Sequence, residues 1–121
     1  MSKKILIIED DEFLRALIVR KLIKEGFDAI EADDGEEGII KAKTEKLDLI
    51  LLDLVLPKMD GFDVLERIKK DPISGNVPVI ILTNLDQKEN VKKTDGLVVD
   101  YLIKANLDPV EITERIKKAL E

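Results

Sequence analysis

Five times along this chain a short apolar run gives way to a segment with helical spacing, and no other feature restricts the fold as much. The runs are "KILIIE" (Lys4–Glu9), "FDAIEA" (Phe27–Ala32), "DLILLD" (Asp48–Asp53), "VPVIILT" (Val77–Thr83) and "VVDYLIK" (Val98–Lys104). The first, third and fourth do not alternate apolar with polar residues, so they predict strands buried on both faces. The second is shorter and edge-like. After the first run, Leu14, Leu17, Ile18 and Leu22 recur at helical spacing up to Gly26. A second helix opens at Asp34 with Glu37 three residues on, and a third follows Asp60 and stops before Asp71-Pro72. A fourth is expected over "QKENVKKTDG", capped by Asp86 with Glu89 at its third position. The last has Asp108 as cap, Pro109 first and Glu111 third, a strong start signal.

Strand and helix alternating five times predict an α/β fold, a (βα)5 doubly wound parallel five-stranded sheet with right-handed crossovers. Strand order 2-1-3-4-5 places the three most apolar strands in the centre. A chain of 121 residues fits one domain, 1–121. The fourth helix stands apart, because Val91 is its only large apolar residue between Asp86 and Asp95. Burying that side chain contributes about 1.5–3 kcal/mol. The segment therefore reads as a moving part or as a plain exposed helix docked by Leu85 and Leu97. Acid-to-base pairs four apart recur elsewhere: Glu37 with Lys41, Asp63 with Arg67, Glu66 with Lys70, Glu111 with Arg115, Glu114 with Lys118.

Composition removes several functions. The net charge of -6 leaves no broad basic surface for direct nucleic-acid or anionic-lipid contact. Without Cys there is no thiolate nucleophile, disulfide or Cys zinc site. Without His, any phosphohistidine chemistry must sit on a partner. No apolar run approaches ~18 residues, and the stretch before Ile5 is no signal peptide. No membrane attachment and a cytoplasmic location are the expectation.

Ligands of open parallel sheets bind beyond the carboxyl ends of the strands. At those ends stand Glu9, Asp10 and Asp11, then Asp53, Thr83 and Lys104. A helix cap needs one carboxylate, and "EDDE" supplies four acids. Asp53 lies too far ahead of the next helix to cap it, and a buried unpaired carboxylate costs several kcal/mol. Alone, Thr83 reads as a strand terminus and Lys104 as an amine snorkelling to water. Matched at four strand ends, they read as one site. Two carboxylates ~4 Å apart repel by roughly 4 kcal/mol at an effective dielectric of 20. Lys104 offsets one charge, and the remainder suits a hard cation such as Mg²⁺. Asp53 is then a nucleophile, with Thr83 and Lys104 placed to hold the oxygens of a phosphoryl group.

The blocks "ILIIEDDE", "LLDLVLPKMDG", "VIILTN" and "DYLIKA", in this order along the whole chain, resemble the signature of the response-regulator receiver domain of two-component signalling. The resemblance implies a CheY-like, flavodoxin-like fold. It implies that Asp53 takes a phosphoryl group from a partner histidine kinase or phosphotransfer protein. Glu9, Asp10, Asp53 and the backbone carbonyl of Val55 would surround Mg²⁺. Thr83 would bind a phosphoryl oxygen and shift, Lys104 would pair with the phosphoryl group, and Tyr101 would turn inward as Thr83 moves. The fourth helix, fifth strand and fifth helix would form the face read by a downstream target. Such a protein is a phosphoacceptor rather than an enzyme, and a monomer or weak homodimer.

The chain also departs from that pattern. Ala105 stands where the family usually has a Pro with a cis bond. A cis bond costs ~2.5–4 kcal/mol before Ala and about 0.5–1 before Pro. A trans Lys104–Ala105 bond and a shifted loop are therefore expected. Asn84 replaces the usual Ala or Gly and is bulky enough to screen part of the site. Val55 and Leu85 are apolar where fast-cycling members often carry polar groups, which suggests a long-lived phosphoryl group. Three rival readings fit less well. A flavin carrier needs a Ser/Thr/Gly-rich phosphate loop where this chain has "EDDE". An aspartate-nucleophile phosphatase needs a second Asp where Val55 stands. A receiver-like interaction module indifferent to phosphate leaves the acids, Thr83 and Lys104 without a purpose.

Overall fold

The computed structural model describes residues 2–121. Its elements in chain order are β1 (Lys4–Ile8), α1 (Glu12–Lys24), β2 (Asp28–Ala32), α2 (Gly35–Thr44), β3 (Leu49–Leu52), α3 (Gly61–Lys70), β4 (Val79–Thr83), α4 (Lys88–Lys92), β5 (Asp100–Ile103) and α5 (Pro109–Ala119). Short 3-10 turns cover Ser74–Asn76 and Lys104–Asn106. All strand pairings are parallel and the order is β2-β1-β3-β4-β5, as the apolar runs imply.

The absence of alternation in β1, β3 and β4 has its structural reason in two separate cores. Successive strand side chains point to opposite faces. Leu6, Ile8, Ile50, Leu52, Val79 and Ile81 pack on one face with α2 and α3. Ile5, Ile7, Leu49, Leu51, Ile80 and Leu82 pack on the other with Ile18, Leu22, Ile112 and Ile116 of α1 and α5. β2 lies at an edge, where Asp28 and Glu31 stay in water and discourage further strand pairing.

Three helices start at the caps expected for them. Asp34, Asp60 and Asp108 accept from Glu37, Phe62 and Glu111 N–H groups, and Asp108 with Glu111 closes a full capping box. Within the run of acids before α1, Asp11 is the cap, accepting from Leu14 N–H. That leaves Asp10 for other work.

α4 departs from expectation. It is a five-residue helix whose N-cap is Gln87, with no side-chain cap, so Asp86 does not open it. No residue of α4 is fully buried. With so little apolar surface to dock, only one short stretch winds up. β5 is also shorter than the run suggests, because Lys104 already belongs to the 3-10 turn. Among the acid-to-base pairs, Glu37–Lys41 and Glu66–Lys70 close at 2.6 and 2.5 Å. Arg115 turns from Glu111 to Asp100 on β5, which it grips with two hydrogen bonds of 2.7 and 2.8 Å. A planar guanidinium prefers such a bidentate partner to a single exposed acid on its own helix.

Candidate functional site

β1 and β3 are neighbours in register, Ile8 beside Leu52, so the residues that follow emerge side by side. The ladder continues one step beyond β3, with Asp53 N–H donating to Ile8 C=O at 3.0 Å. Glu9 is fixed from the other side, its N–H bonded to Ala32 C=O at 3.0 Å. Both carboxylates are buried, Glu9 at 2% and Asp53 at 3% exposure. Beyond Asp53 the chain folds back sharply, and Gly61 N–H donates to Leu54 C=O at 3.1 Å. A Cβ on Gly61 would lie 2.3 Å from the Leu54 Cα, so only glycine permits this return.

Lys104 reaches both acids across the sheet. Its Nζ donates to Asp53 Oδ2 at 2.7 Å and lies 2.6 Å from Glu9 Oε1. The second contact is ionic but poorly aligned, because Oε1 is buried without a hydrogen bond of acceptable geometry. The other oxygens are held by backbone: Asp53 Oδ1 by Val55 N–H and Glu9 Oε2 by Asp11 N–H, both at 3.0 Å. Burial pushes the Glu9 carboxyl up to about 7, with Lys104 and the Asp11 N–H offsetting part of the rise and the Asp53 charge adding to it. Burial works against the charge on Lys104, but Asp53 and then Glu9 outweigh it, so its pKa stands above the usual lysine value. Once both acids are ionised, two carboxylates against one amine leave net negative charge, and Glu9 Oε1 has only its ion pair with Lys104.

That surplus tests whether a cation fits. Glu9, exposed Asp10 and Asp53 each offer a carboxylate oxygen, all within 4.8 Å of one another. A hard oxygen-only donor set of three acids against one amine matches Mg²⁺. Asp10, Asp11, Asp53, Val55, Asn84 and Lys104 line a cleft of about 300 Å³ over this cluster.

The other residues singled out in the sequence lie around this cleft in different ways. Thr83 is fully buried at the end of β4 and is not part of the cleft wall; its Oγ1 has only a long 3.5 Å contact from Leu85 N–H. Tyr101 is half-buried against the α2–α3 core, and its hydroxyl donates to Leu85 C=O at 2.6 Å. Burial, then the charges of Asp53 and Asp86, raise its pKa. Asn84 is on the cleft wall, but its side-chain oxygen is turned to Ala105 N–H at 3.1 Å. The Lys104–Ala105 bond is trans, since no described residue has a cis peptide bond. The short 3-10 turn after it still lets Lys104 reach Asp53.

Arg15 is a contributor that the sequence does not single out. From α1 its Nη1 donates to Glu9 C=O at 2.7 Å, while Nε pairs with Glu31 of β2 at 3.0 Å. It pins the backbone from which the buried acid hangs. In sequence it is one cation among many on an amphipathic helix, and only the fold reveals its target.

Comparison with known proteins bears on the same residues. The family model described as the response regulator receiver domain matches residues 5–117. The alkaline phosphatase synthesis transcriptional regulatory protein PhoP of Bacillus subtilis is 40% identical over 99% of this chain and 49% of that protein. The master transcriptional regulator RpaA of Synechocystis is 38% identical over 97% of this chain and 48% of its own length. The chain thus spans about half the length of these curated relatives. A CheY-like receiver domain protein from Methanospirillum hungatei superimposes with TM-score 0.89 at 29% identity, covering 99% of this chain and 94% of that one. TrrA from Thermotoga maritima, solved in complex with Mg²⁺-BeF, gives TM-score 0.83 at 28% identity over 96% and 97%. Fold, strand-end chemistry and sequence similarity agree along nearly the whole chain, which belongs to the response-regulator receiver-domain family.

Proposed function

We propose that this domain is a phosphorylation-controlled switch in which Asp53 accepts a phosphoryl group from a partner histidine kinase or phosphotransfer protein. The observation that carries the reading is the convergence on Asp53: Lys104 Nζ at 2.7 Å, with the carboxylates of buried Glu9 and of Asp10 beside it. Glu9, Asp10, Asp53 and the carbonyl of Val55 would hold Mg²⁺, whose role is to neutralise charge on the transferring phosphoryl oxygens.

The chain's own residues do the rest. Val55 N–H and Lys104 hold the two oxygens of Asp53, so the carboxylate is oriented before a donor arrives. One carboxylate oxygen forms the bond to phosphorus as the donor's P–N bond breaks, and that electron pair leaves with the imidazole nitrogen. The charge then moves from the carboxylate out to the phosphoryl oxygens, and the Lys104 amine follows it. Thr83 sits at the adjacent strand end, buried and weakly bonded, free to turn its hydroxyl to a phosphoryl oxygen. Its movement would pull Leu85 and, through Leu85 C=O, the Tyr101 hydroxyl. The α4–β5–α5 face would pass the change to a downstream target.

Apolar Val55 and Leu85 offer no side-chain polar group to place an attacking water, which favours a long-lived phosphoryl group. Relatives are named as transcriptional regulators, but the -6 net charge here argues that this domain would not itself touch nucleic acid. No helix among the described residues is long and apolar enough to cross a membrane, in keeping with a role in the cytoplasm.

The test is Mg²⁺ with a small phosphodonor such as acetyl phosphate, read by intact mass. A phosphate adduct should appear on the wild-type chain, disappear in Asp53→Asn and require the metal. Absence of the adduct, or its persistence in Asp53→Asn, overturns the proposal, and loss of the adduct within seconds at 25 °C overturns the long lifetime.

A further inference from the structure

Two departures from the family pattern meet in space. Asn84 stands where receivers favour Ala or Gly, and Ala105 where they favour Pro. In the fold the Asn84 side-chain oxygen accepts the Ala105 backbone N–H at 3.1 Å, across 21 residues of sequence. Proline has no N–H to donate, and Ala or Gly at 84 would have no acceptor. Each residue supplies what the other requires. The partner also settles the orientation of the amide, since an N–H can only be met by the oxygen. The NH₂ arm remains, a donor suited to an anionic group and unsuited to a metal.

The location matters as much as the bond. Asn84 follows Thr83, Ala105 follows Lys104, and both Asn84 and Lys104 line the cleft above Asp53. The bond therefore joins the two loops whose preceding residues would hold the phosphoryl oxygens. A second link lies one residue further on, where the Tyr101 hydroxyl meets Leu85 C=O at 2.6 Å. The loop between β4 and α4 is thus tied twice to the β5 side, while no residue of α4 itself is fully buried. An exposed hydrogen bond adds little to global stability, but this one bridges the mouth of a site.

We propose that Asn84 and Ala105 form a staple that sets the spacing of Thr83 and Lys104 and slows the entry of water to phosphorylated Asp53. The role rests on the phosphoacceptor reading above. Asn84 is a positioning residue here, acting through the loops rather than on the reacting atoms.

Two measurements test it. The first uses the unphosphorylated protein: Asn84→Ala should speed amide exchange at Ala105 severalfold and leave α1 unchanged. Unaltered exchange at Ala105 overturns the staple itself, whatever Asp53 does. The second is the lifetime of the phosphoryl group in wild type, Asn84→Ala, Ala105→Pro and the double variant. Each single change should shorten the lifetime by about fivefold, the factor of one net hydrogen bond, and the double variant should be no shorter than either. Additive effects, or an unchanged lifetime in Asn84→Ala, overturn the proposed role. If Ala105→Pro does not fold, Asn84→Ala alone decides through both readouts. If the wild-type chain takes no phosphate, the lifetime role falls with the parent reading, and exchange at Ala105 still reports whether the staple exists.

Discussion

Helices α3 and α4 both follow a central strand that ends at the candidate site, and they are held in opposite ways. β3 runs through Asp53 into α3, which buries Val64, Leu65 and Ile68 and starts at a glycine pressed against Leu54. β4 runs through Thr83 into α4, which fully buries no side chain and has no side-chain cap. The first path holds the acid cluster at fixed geometry. The second is held by few contacts, among them Leu85 against the core, buried Thr94 just after the helix, Tyr101 to Leu85, Asn84 to Ala105, and Lys93 Nζ over the Phe62 ring at 4.9 Å. A residue that must be positioned is thus continuous with an anchored helix. Thr83, the residue proposed to move, is continuous with a tethered one. The lesson is that a switch needs no special hinge sequence when one helix simply lacks apolar surface to dock.

The contrast can be broken most forcefully by truncation. Leu65→Ala in α3 should cost about 2–5 kcal/mol, as buried leucines do, whereas Val91→Ala in α4, at a half-buried position, should cost less than about 1 kcal/mol. Urea midpoints with unchanged slopes would check both, and equal losses would remove the distinction.

A pH series addresses the fixed end next. Glu9 holds its proton up to about pH 7 in the fold, against 4.5 for the free group. The native state therefore binds more protons than the unfolded chain between these values, and stability should fall as pH rises through that window. The drop is about 3 kcal/mol, at ~1.4 kcal/mol per pH unit. Glu9→Gln should flatten the profile. Added Mg²⁺ should restore stability at pH 8 far more than at pH 5, because it binds the deprotonated acids. Stability that rises with pH through this window in the metal-free protein would contradict the assignment.

Tyr101→Phe sharpens the other end. Losing the hydroxyl bond to Leu85 should cost about 0.5–1.5 kcal/mol. It should also speed amide exchange in residues 84–97 while leaving α3 protected. The smallest effect belongs to the exposed Glu66–Lys70 pair, 58–73% accessible. Glu66→Ala should leave the urea midpoint unchanged within error, because water and salt screen such pairs.

Much of this site was legible before folding. Glu9, Asp10, Asp53 and Lys104 each sit where an apolar run stops, and parallel topology gathers strand ends at one edge. The α4 cap differs from expectation: Asp86 and Glu89 have the spacing of a cap, but the helix starts one residue later, behind Gln87. Arg115 was misassigned for a related reason, because i,i+4 spacing is visible in sequence and Asp100 on β5 is not. Arg15 and the Asn84–Ala105 bond were invisible as interactions, though the two residues of that bond were conspicuous as departures.

Sequence alone determined the fold class, the strand order and which acids and amine the strand ends bring together. These follow from periodicity, apolar run length and chain topology, all of which are local or additive along the chain. Tertiary structure alone decided which oxygens of Asp53 and Glu9 Lys104 reaches, that Thr83 is buried off the cleft wall, and that Asn84 faces Ala105. Those depend on side-chain directions between residues 21 to 95 positions apart, and no local pattern encodes them.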